Sequence, residues 1–229
     1  MEPIYIALGT HCQTAHFLKE FGYRTAAYPF DWVFSALPMI AHIIETRFVW
    51  FLDRRMFRPQ RQAPLDEEAE AIEDLVEDLV ADVAGPGLAD HCCGHRLYGD
   101  IFNHRNPRRG EDLAYYQRCV IRFYEALRSP RPKVFLHVRP NQTRALTHDE
   151  LRQIVDLKHL LDHHCIGPAR LIVIQCCLLD IRPMIYGLPF EIALAYIPTS
   201  WSDGLNFADQ DSWVCFYRTF RQCCAASAP

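Results

Sequence analysis

The chain has 229 residues, of which 50% are hydrophobic and 23% are charged, the balance of an ordinary globular protein. This length predicts a single catalytic-type domain over 1–229 with a sizeable buried core. The 24 basic and 28 acidic residues give a net charge of -4, which argues against a nucleic-acid partner.

Two further features bear on the cellular compartment. The N-terminus, Met1-Glu2-Pro3, lacks the basic and apolar regions of a signal peptide, and no run approaches the roughly 18 apolar residues of a membrane helix. The 10 cysteines include three adjacent pairs, at 92–93, 176–177 and 223–224, and adjacent cysteines rarely satisfy disulfide geometry. We therefore expect a cytoplasmic protein with reduced thiols and no membrane partner.

The first stretch predicts a strand that turns directly into a helix. An apolar, β-branched run begins at Ile4 and stops at Gly9, and apolar residues then repeat at helical spacing from about Gln13 to Gly22. Cys12 lies in the turn, where it faces the unpaired N–H groups and positive dipole end of the helix. Such positions lower the pKa of a thiol, and the thiolate is the reactive form. Cys12 is therefore the first candidate nucleophile, and a small apolar residue in a tight corner is the alternative.

The second stretch is predicted to be a short strand over 24–28 that stops at Pro29, because proline cannot donate to the strand ladder. It leads into Phe30-Asp31-Trp32, in which two large rings flank a carboxylate. Asp31 is a candidate functional group, and a capping or loop aspartate is an equal alternative.

Helices and strands then alternate. Apolar spacing predicts helices over 36–48, 66–84, 115–127, 147–163 and 213–224, and strands over 97–101, 133–138, 170–174 and 191–197. The acidic residues of 66–84 have no compensating bases, which is typical of a solvated face and less often of a docking surface. Apolar strands separated by helices predict a three-layer α/β fold with a mostly parallel central sheet, whose functional site lies at the carboxyl ends of the strands.

The segment His91-Cys92-Cys93-Gly94-His95 contains four potential zinc ligands within five residues. Ligands this close together do not easily close a tetrahedral site, and no second pair of ligands at zinc-finger spacing accompanies them. We therefore expect no metal and no cofactor.

Several motifs, taken in order, resemble a known family. They are Leu8-Gly9-x-x-Cys12-Gln13-Thr14-Ala15, Tyr28-Pro29-Phe30-Asp31-Trp32, Phe102-x-His104, Arg118-x-x-x-Arg122-Phe123 and Val134-Phe135-Leu136. They are similar to the bacterial family called putative papain-like cysteine peptidases, from Ile4 to about Trp213 with the exception of 54–95. The resemblance implies a cysteine nucleophile and a histidine base, which fall on Cys12 and His104. In relatives an aspartate often follows this histidine, whereas Arg105 follows it here.

A thiol nucleophile needs a base, a third group that fixes the tautomer of the base, and hydrogen-bond donors for the developing oxyanion. Asp31 is the candidate orienting group. The candidate oxyanion donors are the backbone N–H of Cys12 or Gln13 and the side-chain amide of Gln13. The first rival base is His137, at a strand end. The weaker rivals are the histidines at positions 11 and 16, which flank the cysteine.

Three functions remain open from the sequence. The first is a cysteine peptidase or thiol hydrolase that forms a covalent acyl-enzyme with a peptide or small acyl substrate. The second is a thiol-dependent acyltransferase of polysaccharide or small-molecule biosynthesis, with a coenzyme A donor held by scattered basic residues such as Arg139 and Arg144. The third is a non-catalytic binding or effector protein with a degenerate site. A papain-like α+β architecture is the alternative fold, since papain places its cysteine on a long helix against an antiparallel sheet.

Overall fold

The computed structural model describes residues 1–59 and 92–225, which form a mixed α/β structure. In chain order its elements are β1 (Ile4–Ala7), α1 (Gln13–Glu20), α2 (Leu37–Glu45), a short 3-10 helix (Arg54–Met56), β2 (Phe57–Arg58), β3 (Cys93–His95), β4 (Gly99–Phe102), α3 (Gly110–Arg128), β5 (Lys133–Gln142), α4 (His148–His164), β6 (Ala169–Cys177), β7 (Met184–Leu188), β8 (Ile192–Pro198) and α5 (Gln210–Ala225).

The central sheet has five strands in the order β1-β5-β6-β8-β7. All neighbouring pairs are parallel except β7 with β8, which is antiparallel and forms one edge. A second, antiparallel sheet is made of β2, β3 and β4. The predicted mostly parallel α/β fold is thus confirmed, and the papain-like α+β alternative does not match this sheet.

Helices cover both faces of the central sheet, and alternate residues of each strand point to opposite faces. On one face Phe135 packs in a core with α2, α3 and α4. On the other face Val134 and Leu136 pack with α1 and α5, where the ring of Phe17 meets the ring of Phe216 at 4.3 Å between centroids. Strands buried on both sides need a continuous apolar sequence, which is why β5 and β6 were recognisable from sequence.

The predicted strand over 24–28 is wrong. The N–H of Arg24 donates to the carbonyl of Leu18 at the end of α1, and the N–H of Tyr28 donates to the Asp31 carboxylate. Because these groups are already bonded locally, the segment has no strand partner and stays irregular.

Two other predictions change in extent. The helix predicted over 36–48 ends at Glu45, because Arg47 and Phe48 adopt left-handed backbone angles, with φ of 54° and 61°. The predicted acidic helix over 66–84 lies outside the described residues. The sequence analysis missed β7, a five-residue edge strand whose sequence is apolar although its side chains are mostly exposed.

Candidate active site

The turn after β1 is tightly constrained. Gly9 has φ +68°, and a Cβ atom there would lie 2.0 Å from the hydroxyl oxygen of Ser35. Thr10 follows with φ 92°, a conformation that a β-branched residue adopts only when its surroundings impose it. The turn delivers Cys12 to the N-cap position of α1.

Three polar side chains hold this turn. The hydroxyl of Ser35 donates to the carbonyl of Leu8 at 3.0 Å, and the hydroxyl of Thr14 donates to the carbonyl of Gly9 at 3.0 Å. The third side chain is that of His137 on β5. Hydrogen bonds from α1 and from the loop that carries Ser35 hold the turn. The surrounding fold therefore stabilises its strained backbone.

His137, the first rival base, lies on β5 and is only 2% exposed. Its Nδ1 is 3.3 Å from the carbonyl of Leu8, which can only accept, so this nitrogen carries the proton. Its Nε2 therefore accepts from the Thr10 hydroxyl at 3.2 Å. Burial lowers the pKa of His137 to about 4, so the ring is neutral. Its contacts are with the turn and not with the Cys12 sulfur.

Cys12 and His104 lie in direct contact. The Sγ atom of Cys12 is 2.8 Å from Nε2 of His104, across 92 residues of sequence. Cys12 is 6% exposed, whereas His104 lies in the loop after β4 with its ring open to solvent. The Cys12 sulfur is thus nearly enclosed, and the exposed imidazole of His104 lies beside it.

The pair is neutral at rest. Burial raises the pKa of Cys12 to about 11, and burial lowers the pKa of His104. Both shifts disfavour the charged forms, so the thiol donates to the unprotonated imidazole nitrogen. This corrects the expectation that the helix N-terminus lowers the thiol pKa, because desolvation of the enclosed sulfur outweighs the dipole.

Two neighbours fix the His104 loop. The ring of Trp32 meets the His104 ring edge-on, with 5.5 Å between centroids. Asp112, in the first turn of α3, accepts from the Arg105 guanidinium at 2.8 Å and from the N–H of Asn106 at 3.1 Å. The Asp112 carboxylate therefore fixes the two residues that follow the histidine. The sequence analysis missed this role of Asp112, because the helix was predicted to begin at position 115 whereas it begins at Gly110.

Asp31 has different partners from those expected. One carboxylate oxygen accepts from Nε and Nη2 of Arg24, both at 2.7 Å, and from the N–H of Tyr28 at 3.0 Å. Burial raises the pKa of Asp31 to about 6, while Arg24 opposes that shift. No hydrogen bond joins Asp31 to His104, and among the described residues Nδ1 of His104 has no hydrogen-bonding partner. Asp31 instead closes the turn that presents Trp32.

Gln13 is buried beside the nucleophile, at 1% exposure. Its backbone N–H donates to the carbonyl of Gly204 at 2.8 Å, so that expected oxyanion donor is already bonded. Both atoms of its side-chain amide are buried without a hydrogen-bond partner among the described residues. The backbone N–H of Cys12 lowers the pKa of its own thiol, against the larger effect of burial.

The loop that carries Gly204 was missed by the sequence analysis. It is fastened to the end of β5 by two hydrogen bonds of 2.7 Å, in which the Asn141 side chain pairs with the backbone N–H and carbonyl of Ser202. The His11 ring lies beneath it, since a Cβ at Gly204 would be 3.1 Å from that ring. The loop therefore covers the start of α1.

The remaining candidates lie apart from the thiol. The His16 ring is 4.0 Å from Glu20 and packs edge-on against Trp213. The His11 ring packs on Phe34, at 5.1 Å between centroids. The ring of neither histidine is hydrogen-bonded to the Cys12 sulfur, and the backbone N–H of His16 donates to the carbonyl of Cys12 at 2.9 Å as part of α1.

The cysteine-rich segment does not converge on a metal. The thiols of Cys92 and Cys93 donate to the carbonyls of Asn103 and Arg58, and the His95 ring bonds to a carbonyl at position 50. Within 1–59 and 92–225 no three histidine, cysteine or acidic side chains are grouped to hold an ion, and position 91 lies outside these ranges. All 10 cysteines are free thiols. In the same part of the chain, no helix has the length and apolar character needed to cross a bilayer.

Comparison with known proteins yields one match. A family model described as "putative papain-like cysteine peptidase" matches residues 3–176 of the chain. The matched range contains Cys12, Asp31 and His104, and ends in β6 before the Gly204 loop. A search of curated proteins and a search of solved structures found no significant match.

Proposed function

The chain belongs to the family of putative papain-like cysteine peptidases, and from this premise we propose that it is a cysteine hydrolase with Cys12 as nucleophile and His104 as general base. The observation that carries the proposal is the 2.8 Å contact between Cys12 Sγ and His104 Nε2. This distance is within the range over which a base takes a proton from its nucleophile.

The reaction starts from a neutral pair. As the Cys12 sulfur bonds to the substrate carbonyl carbon, its proton passes to Nε2 of His104 and the carbonyl oxygen becomes an oxyanion. Collapse of this intermediate breaks the bond to the leaving group, which takes the proton from His104. A water molecule then attacks the thioester, with His104 again accepting a proton, and releases the acid and the free thiol.

The oxyanion needs a donor, and we assign this role to the side-chain amide of Gln13. A buried amide without a partner costs free energy, and an oxyanion would satisfy it. Asp31 is assigned a positioning role, because its bonds to Arg24 and Tyr28 hold the turn from which Trp32 contacts the base.

The two alternative functions have less support. Arg139 and Arg144, the candidate binders of a coenzyme A donor, both pair with Glu150, at 2.5 and 2.7 Å, so one of their two charges is neutralised. Arg105, whose place after the histidine suggested a degenerate site, is bound by Asp112 in the loop that holds His104. The acidic docking helix of the effector hypothesis lies outside the described residues.

The test is the rate at which iodoacetamide alkylates each of the 10 cysteines at pH 7, read by mass spectrometry. We expect Cys12 to react faster than the other buried thiols. His104→Ala should slow it roughly 100-fold, the size of a general-base contribution. His16→Ala is the matched control, since His16 lies on the same helix without contacting the sulfur. Equal rates at Cys12 in the parent and His104→Ala proteins would refute the proposal.

A further inference from the structure

A groove with a volume of about 690 Å³ borders the turn that carries Cys12. Thr10 and His11, the two residues before Cys12, form one end of it. Its apolar lining comes from the start of α2 and from the β3–β4 region, and consists of Phe34, Ala36, Pro38, Met39, Leu97 and Ile101. This volume lies within the range of sites for small organic ligands.

The polar groups of the groove are largely bonded to one another. Nδ1 of His42 is 2.9 Å from the hydroxyl of Tyr98, and the Ser35 hydroxyl donates to the nucleophile turn. The acidic side chain in the lining is Asp100, which lies 3.1 Å from the guanidinium of Arg58. Among residues 1–59 and 92–225, no lysine or arginine lines the groove. An anionic ligand would therefore meet no unpaired cation there, because Arg58 is already bonded to Asp100, whereas an uncharged apolar ligand would meet apolar side chains.

The groove borders the chain segments that carry the two reacting side chains. Thr10 and His11, at one end of the lining, directly precede Cys12. Phe34, also in the lining, follows Trp32 by two residues, and the Trp32 ring contacts His104. Chain continuity therefore places one end of the groove close to the pair.

From this continuity we propose that the groove binds the acyl part of the substrate, and that this part is an uncharged alkyl or aryl group. The inference rests on the proposed function, because it places the carbonyl carbon at Cys12. Each methylene buried in the groove should strengthen binding roughly fourfold. Charged acyl groups such as succinyl should bind more weakly, because an apolar lining does not compensate the loss of their hydration.

Binding is tested without chemistry in the Cys12→Ala protein. The chain has 4 methionines, one of which, Met39, lines the groove, so a protein with ¹³C-labelled methionine methyl groups gives one signal from the site and others as internal controls. Titration with butanamide and then hexanamide should move the Met39 signal, with roughly 16-fold tighter binding for the longer amide. Hexanoate, which has the same chain and a negative charge, should bind at least tenfold more weakly than hexanamide.

A pair of variants distinguishes binding in the groove from binding to other apolar surface. Leu97→Asp places a charge in the groove and should abolish the hexanamide response. Ile121→Asp is the matched control, because Ile121 on α3 is exposed to a similar extent, 57% against 53%, and does not line the groove. Equal binding of hexanoate and hexanamide, or equal loss in both variants, would overturn the proposal.

The groove and the proposed function can fail separately. In the parent protein, acylation of Cys12 by 4-nitrophenyl butyrate and hexanoate esters is followed by intact mass. If the amides leave the Met39 signal unmoved while Cys12 is acylated at rates independent of chain length, the groove assignment is wrong and the hydrolase proposal stands. If the amides bind at Met39 but Cys12 is never acylated, the hydrolase proposal and the acyl assignment both fall, and the groove remains an apolar-ligand site.

Discussion

Asp112 accepts a hydrogen bond from Arg105 at 2.8 Å, so a carboxylate in the first turn of α3 holds the residue that follows His104. The same carboxylate accepts from the N–H of Asn106, and the Arg105 guanidinium also lies 4.0 Å from the ring centre of Tyr115. Arg105, which follows His104, is thus part of a fixed loop, and the Asp112 carboxylate neutralises its charge.

The Asp112→Ala change should loosen this loop and lower the rate at which Cys12 is alkylated. We expect a loss of about 2 kcal/mol in the free energy of unfolding, since two hydrogen bonds to a carboxylate are removed. The rate of Cys12 alkylation at pH 7 should fall at least several-fold in protein that is still folded. Glu111→Ala, the neighbouring acid in the same turn, is the control and should leave both quantities unchanged.

The alkylation of Cys12 should depend on pH through His104. Burial lowers the pKa of this histidine from its ordinary 6.5, because the imidazolium form is desolvated. The rate should therefore stay high down to pH 6.5 and fall only below it, as protonation removes the base. Measuring the rate between pH 4 and 8 gives the midpoint. A midpoint above 6.5, or the same acid limb in His104→Ala, would contradict the assignment of the base.

Gly9→Ala should destabilise the nucleophile turn by about 3 kcal/mol, from backbone strain together with the clash against Ser35. Gly22→Ala is a matched control, because Gly22 has a similar φ of +73° but nothing within 4 Å of the added Cβ. It should cost only about 1 kcal/mol. Urea unfolding of both variants provides the comparison, and equal losses would show that the Ser35 contact does not matter.

His137→Asn should cost about 2 kcal/mol at pH 7, because the bonds to Leu8 and Thr10 are lost. The loss should shrink on acidification and change sign at about pH 5. The pKa of His137 in the folded protein is about 4. Between pH 6.5 and 4, His137 therefore binds a proton in the unfolded state but not in the folded state. The stabilisation by His137 is therefore complete above pH 6.5 and declines by about 3 kcal/mol as pH falls to 4. Urea unfolding of both proteins across this range measures it, and a constant difference would be inconsistent with a buried neutral ring.

The central strands were predictable because burial on both faces leaves a continuous apolar signal, as in the strand that contains Val173. The position of Cys12 after the first strand was predicted from Gly9, which ends the apolar run, and from the helical spacing of apolar residues that begins at about Gln13. The approach of His104 could not be read from any local pattern, since 92 residues separate it from the sulfur, and only the family resemblance indicated it.

The partners of Asp31 could not be predicted although Arg24 is only seven residues away, because an irregular segment has no periodic pattern that tells which side chains meet. Its position between two aromatic residues showed that it would be held in place, but not that Arg24 would hold it. The pKa of Cys12 was predicted with the wrong sign, because a helix terminus is visible in a sequence whereas desolvation depends on what the rest of the chain packs around the sulfur.

The hydrogen bond from Gln13 to Gly204 joins residues that are far apart in the order of translation. A nascent chain carries the thiol of Cys12 long before the loop that covers the start of α1 has been translated. The complete environment of Cys12 can therefore be assembled only once the ribosome has passed β8 and the Gly204 loop.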